Sequence, residues 1–176
     1  MSLQELKQKC KATLASEYEN IELNSLMSIL FEHITGWDQL KQVLNKEQKL
    51  PQVKIDQFHK ALTSLQEGMP IQYIIGKAWF MGHEYIVNEN VLIPRPETEL
   101  LVELAIDFVQ ASGKKTPRIL DLGTGSGAIG LALAKNLPNS QVTCVDVSAE
   151  ALTIAQENAH LLHLNSVKFI QSNWFE

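Results

Sequence analysis

The sequence lacks any apolar run of the roughly 20 residues that a membrane-spanning helix requires. Its first residues also lack the apolar stretch and small-residue cleavage site of a secretory signal. Hydrophobic residues make up 45% and charged residues 20% of the 176-residue chain, as in ordinary globular proteins. These features predict a cytoplasmic protein whose chain is long enough for one medium domain or two small ones.

Cysteine and positive charge are also scarce. The two cysteines, Cys10 and Cys144, fall in no metal-binding spacing, so we expect reduced thiols in the interior and no metal site. There are 15 Lys and Arg against 20 Asp and Glu, which gives a net charge of -5. Proteins that grip nucleic-acid phosphates usually carry a basic face. We therefore expect no stable nucleic-acid binding and no membrane partner.

The chain divides into two patterns with a short segment between them. Apolar residues recur at helical spacing through residues 1–70, where Ser2 and Glu5 form a capping-box pattern and a second helix is expected from Asn24. This predicts a small all-α bundle. Residues 71–93 are rich in Ile, Val, Tyr, Phe and Trp and predict a linker of one or two β-hairpins.

Residues 94–176 alternate between helix and strand patterns and predict an α/β fold. The order of these elements requires a parallel sheet with right-handed crossovers. The predicted elements, in chain order, are a helix at 97–110, a strand at 118–122, a helix at 127–136, a strand at 141–146, a helix at 148–162 and a strand at 167–171.

A glycine loop follows the first predicted strand of this half. Alternating glycines from Gly123 to Gly127 allow positive φ angles and let a ligand approach without a Cβ in the way. A dinucleotide site would have G-x-G-x-x-G, but Ala128 stands at the third glycine position. Asp121 would repel a pyrophosphate, whereas it suits the ammonium group of S-adenosylmethionine or could orient backbone amides.

Polar and aromatic residues at the ends of the next two strands complete the pattern. Asp146 comes about twenty residues after the loop, where a carboxylate can accept both hydroxyls of a ribose. Asn173 could accept from an adenine amino group, and Trp174 could pack on the ring. These features predict S-adenosyl-L-methionine as the cofactor, with an NAD-type cofactor or a turn without ligand as alternatives. The predicted cofactor-binding residues are Gly123, Thr124, Gly125, Ser126, Gly127, Asp146 and Trp174.

Four segments resemble motifs of the HemK/PrmC family, whose members methylate a glutamine of peptide-chain release factors. The glycine loop is common to many methyltransferases, whereas the stretch Ile-Pro-Arg-Pro-Glu-Thr-Glu at 93–99 is far more specific. The segments occur in the expected order along the whole chain, at Pro70–Gly76, Val91–Glu99, Ile119–Ile129 and Ser172–Phe175.

The resemblance implies a function and a division of the chain. Residues 1–70 would help to grip the release factor, 71–93 would form the hairpin linker, and 94–176 would form the first half of a Rossmann-like class I methyltransferase domain. The implied reaction is methylation of the glutamine amide in a Gly-Gly-Gln motif, with S-adenosyl-L-methionine as the donor. Because the family usually has Asp where this chain has Asn173, we expect weaker cofactor binding.

The family's catalytic signature, Asn-Pro-Pro-Tyr, does not occur in this sequence. In the family, its Asn side chain and a Pro carbonyl direct the glutamine nitrogen at the methyl carbon. No histidine or acid here looks like a substitute, so we predict no catalytic residue, a truncated chain, and an open edge on the strand at 118–122. A DNA adenine N6-methyltransferase and a binding module without activity stay open as alternatives.

Overall fold

The structure is a computed structural model that describes residues 1–174. Phe175 and Glu176, which end the last predicted motif and the predicted methyltransferase half, lie outside the described residues. The chain divides into two compact units, Met1–Ile75 and Gly76–Glu176. No helix in the described part of the chain has both the length and the apolar character needed to span a membrane.

The first unit is a helical bundle around its own apolar core. The predicted capping box is confirmed, because Ser2 Oγ accepts from the Glu5 N–H and Glu5 Oε2 accepts from the Ser2 N–H. Phe31 and Phe58 pack in the core with ring centroids 4.2 Å apart. The helices of this unit are α1 (Leu3–Leu14), α2 (Asn20–Thr35), α3 (Gln39–Leu44), α4 (Gln52–Gln66) and α5 (Ile71–Ile75).

The prediction of β structure from residue 71 onward is wrong for the segment that forms α5. The Tyr73 and Ile74 N–H groups donate to the Pro70 carbonyl, which begins a helical turn. Ile71 is buried in the core of the first unit, and Ile74 packs against that core. Spacing of three and four residues places apolar side chains on one helical face, so packing outweighs the β preference of isoleucine.

The second unit contains a hairpin and a parallel sheet, which confirms the predicted α/β class. The strands β1 and β2 pair antiparallel, while β3, β4 and β5 form a parallel sheet in that order. The elements of this unit are β1 (Lys77–Phe80), β2 (His83–Ile86), α6 (Glu97–Ala111), β3 (Arg118–Leu122), α7 (Ala128–Asn136), β4 (Gln141–Asp146), α8 (Ala149–Leu161) and β5 (Lys168–Gln171).

Helices cover one face of the parallel sheet. Val142 and Cys144 of β4 are buried on this face, and α7 contacts both β3 and β4. On the opposite face, Leu120 and Ile170 are 52% and 49% exposed. Among the described residues β3 pairs with β4 alone, so the predicted open edge on β3 is confirmed. Because β3, β4 and β5 run parallel, their carboxyl ends lie together at one edge of the sheet, beside the glycine loop.

Candidate functional site

The glycine loop connects the carboxyl end of β3 to the start of α7. Gly123, Gly125 and Gly127 have φ angles of 71°, 55° and 81°, which other residues adopt only under strain. A Cβ added at Gly127 would lie 2.9 Å from Leu131 Cδ1, whereas Gly123 and Gly125 have no atom within 4 Å of such a Cβ. Gly127 is thus needed for packing, and the other two leave space for a ligand.

Asp121 holds the loop from inside the unit. Its Oδ2 accepts hydrogen bonds from Thr124 Oγ1 at 2.6 Å and from the Gly130 N–H at 2.9 Å. The sequence left two roles open for Asp121, which are binding of an ammonium group and orientation of backbone amides. These hydrogen bonds correspond to the second role. Charge-assisted bonds of this kind are stronger than neutral ones, so they fix the start of α7 relative to β3.

Asp146, the carboxylate predicted to accept the ribose hydroxyls, lies next to the glycine loop. Its Oδ2 accepts from the Gly125 N–H at 2.8 Å, and its Oδ1 accepts from the Ser148 N–H at 3.0 Å. The Gly123 N–H also donates to the Val145 carbonyl at the end of β4. Each carboxylate oxygen has more than one acceptor position, so Asp146 keeps capacity for further donors while the loop fixes its orientation.

A cavity of about 120 Å³ lies beside this carboxylate. It brings together three predicted site residues, Gly123, Asp146 and Trp174, whereas the other four predicted residues do not line it. The buried Thr124 and Ser126 face the interior instead. Because sites for drug-sized ligands usually measure roughly 300–1,000 Å³, this cavity accommodates only part of such a ligand. Its lining is Leu122, Gly123, Val145, Asp146, Val147, Ser172, Asn173 and Trp174.

The segment after β5 forms one side of the cavity. The Ser172 N–H donates to the Asp146 carbonyl at 3.0 Å, which holds this segment beside the end of β4. Asn173 is exposed, and the Trp174 side chain is 68% exposed with a φ of 61°. Both side chains are therefore accessible to a ligand that enters the cavity.

Two residues that support the loop were not predicted from the sequence. Gly130 lies so close to β4 that an added Cβ would be 2.6 Å from Cys144 Sγ, and its recurrence three residues after Gly127 was an available signal. Asn158 is fully buried in α8 and bonds to the Ser126 carbonyl. Its signal was a polar residue on the apolar helix face formed by Ala151, Ala155 and their neighbours.

The thiols are buried and free, as predicted. Burial raises the pKa of Cys144 to about 12 and the pKa of Cys10 to about 11. Neither is therefore a thiolate near neutral pH, and reactive thiols require the opposite shift. Within residues 1–174, no three His, Cys, Asp or Glu side chains come together in a group that could hold a metal ion.

Larger cavities lie away from the loop. One of about 470 Å³ lies among α2, α4 and α5 of the first unit, where Leu30 and Lys60 line it. Another, of about 630 Å³, lies on the uncovered face of the sheet, where Leu120 and Ile170 line it. Neither includes the glycine loop or Asp146. The site is therefore assigned by its convergent polar groups rather than by volume.

Two family models match parts of the chain. Residues 5–76 match the PrmC N-terminal domain, and residues 113–176 match a methyltransferase domain. A release factor glutamine methyltransferase of Flavobacterium psychrophilum is 44% identical over 161 residues, which cover 91% of this chain and 56% of that protein. Its counterpart from Chlorobaculum tepidum is 41% identical over 149 residues, with coverages of 82% and 51%. The chain spans about half the length of the curated relatives it matches.

One solved structure gives a more distant likeness. It is a SAM-dependent methyltransferase from Agrobacterium tumefaciens, with a TM-score of 0.46 and 23% sequence identity. The aligned part covers 56% of this chain and 32% of that chain.

Proposed function

We propose that this chain, which belongs to the family of release factor glutamine methyltransferases, binds S-adenosylmethionine at its glycine loop. The observation that carries the proposal is the 2.8 Å hydrogen bond from the Gly125 N–H to Asp146 Oδ2. It joins two elements 21 residues apart into one site. A glycine loop with a carboxylate at the end of the next strand is the arrangement that binds the ribose of a nucleoside cofactor.

The donor set fits such a nucleoside. Asp146 keeps acceptor capacity for the ribose hydroxyls, because the Gly125 N–H occupies one position on Oδ2 and the Ser148 N–H one position on Oδ1, and each oxygen has a further lone pair. Gly123 and Gly125 leave open space where side chains would block the approach. We propose that the Asn173 amide oxygen and the Trp174 ring receive the adenine, since both line the same cavity.

When bound, S-adenosylmethionine supplies a methyl group on a positively charged sulfonium, which needs no further activation for transfer. The described residues bind and orient, since the glycine loop and Asp146 fix one end of the site relative to the sheet. Alignment of a weak amide nucleophile is worth several powers of ten in rate. We assign no described residue to the substrate amide, because the Asn-Pro-Pro-Tyr tetrapeptide does not occur in the sequence.

For the parent enzyme we propose methylation of a glutamine in a peptide-chain release factor. Support comes from relatives of that name and from the match of residues 5–76 to the PrmC N-terminal domain. We propose that the first unit contacts the release factor. The net charge of -5 favours a protein partner over duplex DNA.

Donor binding is tested by titration calorimetry with S-adenosylhomocysteine, the demethylated product. We expect the chain to bind it, and Asp146→Ala to weaken binding by about tenfold or more, because hydrogen bonds to a charged group are lost. Asp107→Ala removes an exposed carboxylate from α6 and serves as the matched control, with unchanged affinity. Equal affinities of all three proteins, or no binding by any, would contradict the proposal.

Methyl transfer is tested with a chain extended to include the Asn-Pro-Pro-Tyr sequence of the family. After incubation with methyl-labelled donor and a release factor, we expect the label on a glutamine side chain, located by peptide mass spectrometry. Replacing that glutamine in the release factor is the control and should abolish labelling. In a parallel incubation with duplex DNA, label on adenine, with none on the release factor, would support the DNA methyltransferase alternative instead.

A further inference from the structure

A buried asparagine connects the glycine loop to the β-hairpin. Asn158 of α8 has no exposed surface. Its Nδ2 donates to the Ser126 carbonyl at 2.9 Å and to the Ile86 carbonyl at 3.0 Å, and its Oδ1 accepts from the Ile86 N–H at 2.6 Å. Both amide hydrogens and one acceptor position are thus used between segments 32 and 72 residues away along the chain.

We propose that Asn158 is a positioning residue that fixes the glycine loop for donor binding and couples that binding to the docking of the β1–β2 hairpin. The inference rests on the proposed function, because it names a residue that acts through the loop of the same site. Asn158 itself does not line the cavity beside Asp146.

The effect on the loop follows from the position of Ser126. Ser126 is only 3% exposed, so water does not readily replace Asn158 as the partner of its carbonyl. A buried carbonyl without a donor costs about 1–3 kcal/mol, which favours a rotation of the adjoining peptide. The neighbouring Gly125 carries the N–H that orients Asp146. The peptide that rotates carries the Gly127 N–H, which donates to the Thr124 carbonyl at 2.8 Å, and this carbonyl belongs to the same peptide group as the Gly125 N–H. The rotation therefore disturbs the hydrogen bond on which the ribose acceptor depends.

The β1–β2 hairpin contacts the region of the glycine loop at two neighbouring residues of β2. Both backbone groups of Ile86, at the end of β2, bond to Asn158 as they would to a neighbouring strand. The adjacent Tyr85 hydroxyl donates to the carbonyl of Ala128, the first residue of α7, at 3.4 Å. The glycine loop lies between these contacts, so a ligand that orders the loop should also hold the hairpin in its docked position. The coupling is reciprocal, because a docked hairpin must then favour ligand binding to the same extent.

The first test compares affinity with stability in the full chain. Asn158→Ala removes all three bonds, and Asn158→Asp keeps the shape but places a carboxylate against two carbonyl oxygens. Leu137→Ala is the matched control, since it removes buried apolar volume at the end of α7 opposite the loop. Affinity for S-adenosylhomocysteine is measured by calorimetry, and the midpoint of thermal unfolding by circular dichroism.

We expect Asn158→Ala and Asn158→Asp to weaken binding by about tenfold or more, as expected for a lost buried hydrogen bond that the bound loop needs. Leu137→Ala should lower the unfolding midpoint while the affinity of the folded protein stays within about twofold of wild type. Affinity losses that match those of Leu137→Ala at equal destabilisation would overturn the positioning role.

The second test uses hydrogen exchange and needs no ligand. Asn158→Ala should accelerate exchange of the Gly125 amide, which donates to Asp146 and not to Asn158, while amides of the first unit serve as the internal reference. Unchanged exchange at Gly125 would overturn the inference. If the wild-type chain bound no S-adenosylhomocysteine, the proposed function would fail, and this exchange rate would still decide the role of Asn158.

Coupling is tested by adding the ligand to the same exchange experiment. In the wild-type chain, S-adenosylhomocysteine should slow exchange of the Ile86 amide, which lies outside the cavity beside Asp146. In Asn158→Ala this response should disappear. A wild-type Ile86 amide that does not respond to saturating ligand would overturn the coupling.

Discussion

At the scale of single residues, the glycines around the loop have different physical roles. Gly123 and Gly125 border open space, which the proposed donor site requires for the approach of its ligand. Gly127 and Gly130 are enclosed, and a Cβ at Gly130 would lie 2.6 Å from Cys144 Sγ and 2.9 Å from Asp121 Oδ2. Overpacking of this kind costs typically about 1–3 kcal/mol. The glycines of this region therefore combine a packing requirement, at Gly127 and Gly130, with the open space that the proposed donor site needs, at Gly123 and Gly125.

The site could be predicted from sequence only where local spacing carries the signal. The loop and Asp146 were predictable because strand ends and glycines recur at a fixed distance in parallel α/β units. Asn158 and Gly130 were missed because their partners lie on other elements. Asn158 bonds to Ile86, which is 72 residues away, and no periodicity of the sequence indicates that pairing.

Burial of the two thiols predicts a loss of stability at alkaline pH. The pKa of Cys10 rises from 9.0 to about 11 and that of Cys144 from 9.0 to about 12, because burial disfavours the thiolate. Each folded-state pKa lies above the unfolded value, so the contribution is fully present below about pH 9. Above it, the unfolded chain has lost protons that the folded chain keeps, and stability falls.

The measurement is the free energy of urea unfolding between pH 7.5 and 10.5. Lysines and tyrosines titrate in the same range, so the comparison is between wild type and a Cys10→Ala, Cys144→Ala double variant. We expect the wild-type free energy to fall more steeply above pH 9 than that of the variant. Parallel curves would show that burial does not hold these thiols in the protonated form.

At the scale of elements, prediction succeeded where turn residues mark the boundaries. The strands 118–122 and 141–146 were placed to the residue, because a glycine loop and a Pro-Asn turn bound them. The second helix begins at Asn20 rather than at Asn24, since its N-cap residue Glu19 makes no side-chain cap hydrogen bond and gave no signal. The error at 71–75 arose because burial in the bundle outweighs local β preference.

The motif at 93–99 has a structural role in the hairpin. Glu99, its last residue, accepts a hydrogen bond from the Met81 N–H through Oε1 at 2.7 Å. Met81 lies in the turn between β1 and β2 with a φ of 49°. A carboxylate that accepts from a turn amide holds this conformation in place. The motif therefore anchors the start of α6 to the hairpin turn.

We predict that Glu99→Ala destabilises the second unit by about 1–2 kcal/mol, because a charge-assisted hydrogen bond is lost from a strained turn. Glu99→Gln keeps an acceptor oxygen and should retain most of the stability. Glu97→Ala, in the same helical turn and exposed, is the control and should change the free energy by less than about 0.5 kcal/mol. Hydrogen exchange at the Met81 amide should accelerate only in Glu99→Ala, and equal exchange in all three variants would contradict this role.

At the scale of the whole molecule, each unit buries its own apolar core and also leaves some large apolar side chains exposed. The first unit buries a continuous core that includes Phe31, Phe58 and Leu30. The second unit leaves Leu120 of β3 half exposed and an apolar stripe on α6 exposed. The stripe consists of Leu100, Leu104 and Phe108, which are 60%, 58% and 76% exposed and recur every four residues. Contiguous apolar surface of this kind promotes association.

We therefore predict that the chain self-associates as its concentration rises and that Leu104→Lys with Phe108→Lys reduces this association. Two charges in the middle of the stripe make its burial against another molecule unfavourable, while both positions are already open to water. Ile21→Lys is the control, because Ile21 is 83% exposed in the first unit and outside the stripe. Sedimentation velocity over a range of concentrations should show larger species for wild type and Ile21→Lys than for the double variant. Monomers at every concentration in all three proteins would show that this exposed surface does not drive association.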